Sequence, residues 1–100
     1  MNFELRPSFK EEVQAAEKPV RRAVLKTLEQ IMGLPDLSRL FAHRGLHFEK
    51  IQGMADPESR EQIYSLRVTR SVRALAFLKD GPSLVLVGLH VQHERAYRRR

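Results

Sequence analysis

The chain has no cysteine and no tryptophan, and it contains no stretch of eighteen consecutive apolar residues. Without cysteine there is neither a disulfide framework nor a thiolate metal site, which fits a reducing, cytosolic setting. Without a long apolar run no transmembrane helix is expected. Met1-Asn2-Phe3-Glu4-Leu5 also lacks the basic start and apolar stretch of a secretion signal. Glycine and proline number five each, too few for a flexible linker, and no repeat interrupts the sequence. A Gly-rich phosphate loop and a Gly-x-Ser-x-Gly elbow are both missing. The expectation is one small, soluble, cytoplasmic domain spanning 1–100.

What is present is 42% hydrophobic and 30% charged, enough for one modest core and too apolar for a disordered tail. The formal charge of +6 is unevenly spread. Residues 1–62 hold ten Lys/Arg and ten Asp/Glu, whereas 63–100 hold eight basic residues against Asp80 and Glu94. Seven of those eight are arginine, the side chain that grips phosphate bidentately and stays charged. Such a half points to a polyanionic partner, nucleic acid first, with a solvated surface or an acidic protein partner as the plainer alternatives.

Phe3 and Leu5 alternate with polar neighbours and predict a short first strand ended by Pro7. Ser8-Phe9-Lys10-Glu11 reads as a capping box opening a helix with Phe9, Val13 and Ala16 on one face. Pro19 suits the first turn of a second helix, on which Val20, Ala23, Val24, Leu28, Ile31 and Met32 recur at helical spacing until Gly33 and Pro35. From Leu34 to Gln62 the signals weaken. A long loop is expected there, with one helical turn near Leu37, Leu40 and Phe41 and a short extended piece at 47–51. Beyond it the period is two: Tyr64, Leu66 and Val68 alternate with Ser65, Arg67 and Thr69, then a turn leads to a strand from Val72 to Leu78. Asp80-Gly81-Pro82 is a turn signal, and Leu84 to Leu89, apolar on both sides, predicts a central strand covered on both faces. The fold class is α+β, with an N-terminal strand, a two-helix hairpin and a three-stranded antiparallel meander in one twisted sheet.

Alternation sends Ser65, Arg67 and Thr69 to the face opposite Leu66, and Arg73 opens the strand that pairs across from Arg67. His90 ends the apolar strand, and His93, Glu94 and Tyr97 follow. Such a set can cut RNA without a metal. The 2′-OH needs a base, the leaving 5′ oxygen needs an acid, and the phosphorus needs cations for its added negative charge. Histidine can perform either proton transfer and tyrosine can stack on a base. Plainer roles stand beside these. Arg67 and Arg73 can guard a strand edge, His90 can close a core, His93 can pack on Tyr97, and Glu49 can be a surface charge. His43 and His47, four apart, and His90 and His93, three apart, have metal-ligand spacing but no companion motif, so no metal and no cofactor are expected.

The runs Ile63-Tyr64-Ser65-Leu66-Arg67-Val68, Ser71-Val72-Arg73-Ala74-Leu75-Ala76-Phe77, Leu86-Val87-Gly88-Leu89-His90 and His93-Glu94-Arg95-Ala96-Tyr97 resemble the RelE/ParE superfamily. These are toxins of bacterial type II toxin–antitoxin systems. The N-terminal elements and Phe48-Glu49-Lys50-Ile51-Gln52-Gly53 fit the same pattern. The resemblance implies a microbial-ribonuclease-like fold and, in the RelE branch, cleavage of mRNA on the ribosome. It implies phosphate-gripping roles for Arg67 and Arg73, a general base at Glu49, and acid and stacking functions at His93 and Tyr97, with His90 competing for the histidine role. Arg70, Arg95, Arg98 and Arg99 would add contacts to RNA. Ser65 stands where some members carry a catalytic lysine, so a lysine-based mechanism does not carry over. The ParE branch shares the fold and inhibits DNA gyrase without being an enzyme, and that alternative stays open. The implied partners are a cognate antitoxin, the ribosome and mRNA, with no membrane and room for a weak homo-oligomer.

Overall fold

The computed structural model describes residues 1–80 and 83–91. Five strands and three helices follow in the order β1 (Asn2–Leu5), α1 (Pro7–Ala15), α2 (Lys18–Met32), α3 (Leu37–Ala42), β2 (Glu49–Ala55), β3 (Gln62–Arg67), β4 (Val72–Lys79) and β5 (Ser83–Val91). The sheet order is β1-β5-β4-β3-β2. Strands β2 to β5 form antiparallel neighbours, and β1 closes the far edge by pairing parallel to β5. This is the α+β arrangement expected, with one strand more. Of the piece expected at 47–51, Glu49 to Ile51 open β2, while His47 lies in a turn before it; β2 continues to Ala55 where a loop was expected. Its alternation is broken by a bulge: Lys50 pairs Tyr64 but Ala55 pairs Gln62. Gly53 sits within the bulge at φ +75°, a backbone state that glycine adopts without strain. The Gln62 amide donates there to the carbonyls of Ile51 and Met54, at 2.7 and 3.1 Å.

The helices start where proline can enter the first turn, at Pro7 and near Pro19. The capping box expected at Ser8 does not form. Arg6 is the residue before the helix, no side chain caps it, and the Ser8 hydroxyl donates instead to the Val87 carbonyl on β5 at 2.6 Å. By contrast α3 is capped by Asp36, which accepts the Arg39 amide at 3.0 Å. The helices cover one face of the sheet. Phe9, Ile31, Leu40, Leu46, Leu66, Leu84 and Leu86 are fully buried between them. The Gly81-Pro82 part of the predicted turn lies outside the described residues.

Among the described residues no helix lies on the opposite face. A smaller cluster of Ile63, Phe77 and Val85 is buried there. Arg6 crosses above it, its guanidinium 5.1 Å from the centre of the Phe77 ring. It ends on Asp56, Nη1 to Oδ1 at 2.9 Å, in the β2–β3 loop. Since Arg6 follows one edge strand and Asp56 the other, the pair clasps the two sheet edges over this second core. Asp56 is only 2% exposed. Burial alone would raise its pKa, but the Ser59 amide, the Arg6 guanidinium and the Ser59 hydroxyl outweigh that and hold it below the ordinary carboxylate value. A carboxyl with a lowered folded pKa releases its proton more readily in the folded state. It therefore stabilises above the unfolded value and loses that contribution as pH falls through the folded one. Thermal melts should show a stability loss below about pH 4 that is smaller in Asp56→Asn.

Candidate functional site

On the helix-free face, near the β3–β4 turn, register brings charged residues of four strands side by side. Glu49 of β2 pairs Ser65 of β3, and Arg67 of β3 pairs Arg73 of β4. Arg73 in turn pairs His90 of β5. Directly opposed residues share a face, so Glu49, Ser65, Arg73 and His90 converge. Together with Lys50, Ile51, Gln52 and Leu75 they line a cavity of about 430 Å³.

Arg73 is the arginine of this cavity. Its side chain is 18% exposed, and Nη1 lies 3.9 Å from Glu49 Oε2, beyond hydrogen-bond reach. Nη1 is buried and has no hydrogen-bond partner among the described residues. A guanidinium N–H left unpaired out of water is costly. Glu49 is half exposed, and His90 is exposed across from Arg73. A carboxylate and an imidazole thus flank one guanidinium.

His90 reaches this face through a second bulge. Ala76 pairs Leu86 and Leu75 pairs Gly88, leaving Val87 as the extra residue. Leu86 and Leu89, three apart, both pack into the helix-side core, so the alternation is reversed beyond the bulge. An unbulged strand in phase with Leu86 would turn His90 toward the helices. The one sequence signal for it is Gly88, a glycine inside a strand, and the apolar residues on both sides conceal the reversal of alternation.

Arg67 is exposed and stands in register beside Arg73 without lining the same cavity. It borders a neighbouring recess of about 220 Å³ with Lys26, Thr27 and Gln30 of α2 and Gly45. Neither Arg67 nor Lys26 has an ion pair among the described residues. Arg70 is exposed in the turn between β3 and β4. His93, Arg95, Tyr97, Arg98 and Arg99 lie outside the described residues. Lys50, Gln52, Lys26 and Gln30 were not singled out from sequence. Lys50 and Gln52 were hidden by the weak patterning of β2, and Lys26 and Gln30 looked like an ordinary solvated helix face. Tyr64 faces away from the cavity, stacked on Phe48 at 4.7 Å with Phe41 at their edges. His43 spends Nδ1 accepting the Leu46 amide at 3.1 Å. Among the described residues no group of three or more His, Asp or Glu is placed to hold a metal ion, and no helix is long and apolar enough to cross a membrane.

No protein-family model matches the chain, and no curated protein matches it by sequence. Solved structures do. An archaeal RelE–RelB complex from Pyrococcus horikoshii OT3 contains a chain that aligns with a TM-score of 0.65 at 13% identity, over 92% of this chain and 94% of that one. A copper-bound mutant toxin from Helicobacter pylori aligns with a TM-score of 0.51 at 17% identity, over 95% and 97%. At such identities the likeness is one of architecture, and what it establishes is a RelE-like α+β fold.

Proposed function

We propose that this chain is the toxin of a type II toxin–antitoxin system and a metal-independent endoribonuclease that cuts mRNA on the ribosome. The observation that carries the reading is the Arg73 guanidinium, which lines one cavity with Glu49 and His90 and whose buried Nη1 has no hydrogen-bond partner among the described residues. A scissile phosphate seated there would satisfy it. Glu49 would accept the proton of the attacking 2′-OH and His90 would donate one to the leaving 5′ oxygen. The arginine donors would stabilise the charge that builds on the phosphate oxygens. His93 and Tyr97 remain the candidates, by resemblance, for acid and stacking roles. The RelE-like fold and the RelE–RelB neighbour support a cognate antitoxin as the partner of this chain.

Flanking phosphates would run over the β3 end, across Arg67 into the recess beside Lys26. Binding of a single-stranded oligoribonucleotide, followed by anisotropy over a salt series, should weaken in Arg67→Ala and in Lys26→Ala. Each change should reduce the slope of log affinity against log salt by roughly 0.7.

The deciding experiment is incubation with mRNA, with and without programmed ribosomes, and mapping of RNA ends by primer extension. New ends only with ribosomes support the reading, and ends in naked RNA replace it with a free ribonuclease. No ends, together with blocked supercoiling by DNA gyrase, replace it with the ParE-type alternative.

A further inference from the structure

The bulge that turns His90 toward Arg73 is held from outside the sheet, by two residues one turn apart on α1. Ser8 Oγ donates to the Val87 carbonyl at 2.6 Å. Glu12 Oε1 accepts the Leu89 amide, also at 2.6 Å. These are the backbone groups on either side of Gly88, where an inserted residue disrupts the ladder. Gly88 eases the approach: a Cβ there would stand 3.0 Å from Glu12 Oε1, tight enough that the carboxylate would have to give by a few tenths of an ångström. Both α1 residues are exposed, while the face between them buries Phe9. Their positions are therefore not demanded by the core. Ser8 in particular forgoes the capping role its sequence suits.

We propose that Ser8 and Glu12 are positioning residues that lock the β5 bulge and so keep His90 on the face carrying Arg73 and Glu49. The inference rests on the endoribonuclease reading only for its catalytic consequence. Its structural consequence can be read without any activity. If the Glu12–Leu89 bond is lost, the bulge is free to migrate or relax, and each one-residue shift of register exchanges the two faces. Arg73 lies on β4 and keeps its place, so binding of RNA and turnover should respond differently.

The test compares Glu12→Ala, Glu12→Gln and Gly88→Ala with the wild type. Two readouts are independent of activity: hydrogen exchange of the Leu89 amide, and NMR contacts between the His90 ring and the Arg73 side chain. In Glu12→Ala the Leu89 amide should exchange faster and the His90–Arg73 contacts should weaken. Ribosome-dependent kcat should fall roughly 10- to 100-fold, the scale of a misplaced catalytic group, while RNA affinity stays unchanged. Glu12→Gln keeps an acceptor oxygen and should restore all three. Gly88→Ala should shift the same readouts in the same direction but less, because its Cβ presses on the carboxylate from the strand side. Unchanged exchange and contacts in Glu12→Ala would overturn the proposal, as would a parallel loss of melting temperature, affinity and kcat that glutamine does not rescue. Should the wild type cut no RNA, the functional reading fails, and the exchange and NMR readouts still decide the positioning role.

Discussion

Arg73→Met is expected to stabilise the protein and silence it at once. In the wild type a charged N–H is kept from water with nothing to bond among the described residues, and the Glu49 carboxylate, 3.9 Å away and half exposed, compensates little. Methionine has comparable reach, bends to fill the space and carries no donor to satisfy. Removing the unpaired group should raise unfolding stability by about 1–2 kcal/mol. Losing a donor aimed at the transition-state charge should lower RNA cleavage by about 10²- to 10³-fold. Urea denaturation and primer extension, run on the same preparations, read the two effects. An arginine kept for structure would lose stability on the same substitution, and that outcome would remove Arg73 from the site.

Arg6→Ala should give the largest loss of stability from a single surface-reaching side chain. It strips a carboxylate that is 2% exposed of the one cation within 3 Å of it among the described residues. It also uncovers Phe77 and the small core beneath it. Breaking a buried pair from one side leaves an uncompensated charge. Asp56 retains the Ser59 amide and hydroxyl, at 2.8 and 2.9 Å, which puts the cost at about 2–3 kcal/mol. Arg6→Lys should recover only part of it, because a flat guanidinium can lie over the ring and reach the carboxylate together. Chemical denaturation of the three proteins measures this. Equal stability of wild type and Arg6→Ala would mean the clasp is ornamental.

How much of this could be read from the residues depended on where one periodicity dominated. The alternations around Leu66 and Ala74 placed β3 and β4, and put Arg67 opposite Arg73 in the register observed. The helical spacing from Val20 to Met32 placed α2, and Pro19 its start. β2 was largely lost because Gly53 and its bulge break alternation, and because this edge strand exposes nearly every residue. A sequence pattern records burial, and an edge strand has little of it. The Ser8 cap failed for a different reason: local chemistry offered the helix amide, but a β5 carbonyl lay within reach and won. The face taken by His90 was equally hidden. Parity along β5 is set by a bulge that, Gly88 apart, an all-apolar strand does not display, and by α1 residues about 80 positions away.

The parallel pairing of Asn2–Leu5 with Ser83–Leu86 also fixes an order of events during synthesis. β1 is made before every other strand, and its only partner is the last one described. It must wait for about 80 further residues, so its docking closes the longest loop in the sheet and comes late. The same final strand brings His90 to Arg73. A growing chain can hence build helices and the β2–β4 hairpins while its cavity still lacks one wall. For a protein proposed to attack the machinery that makes it, the proposed site is incomplete until β5 has emerged.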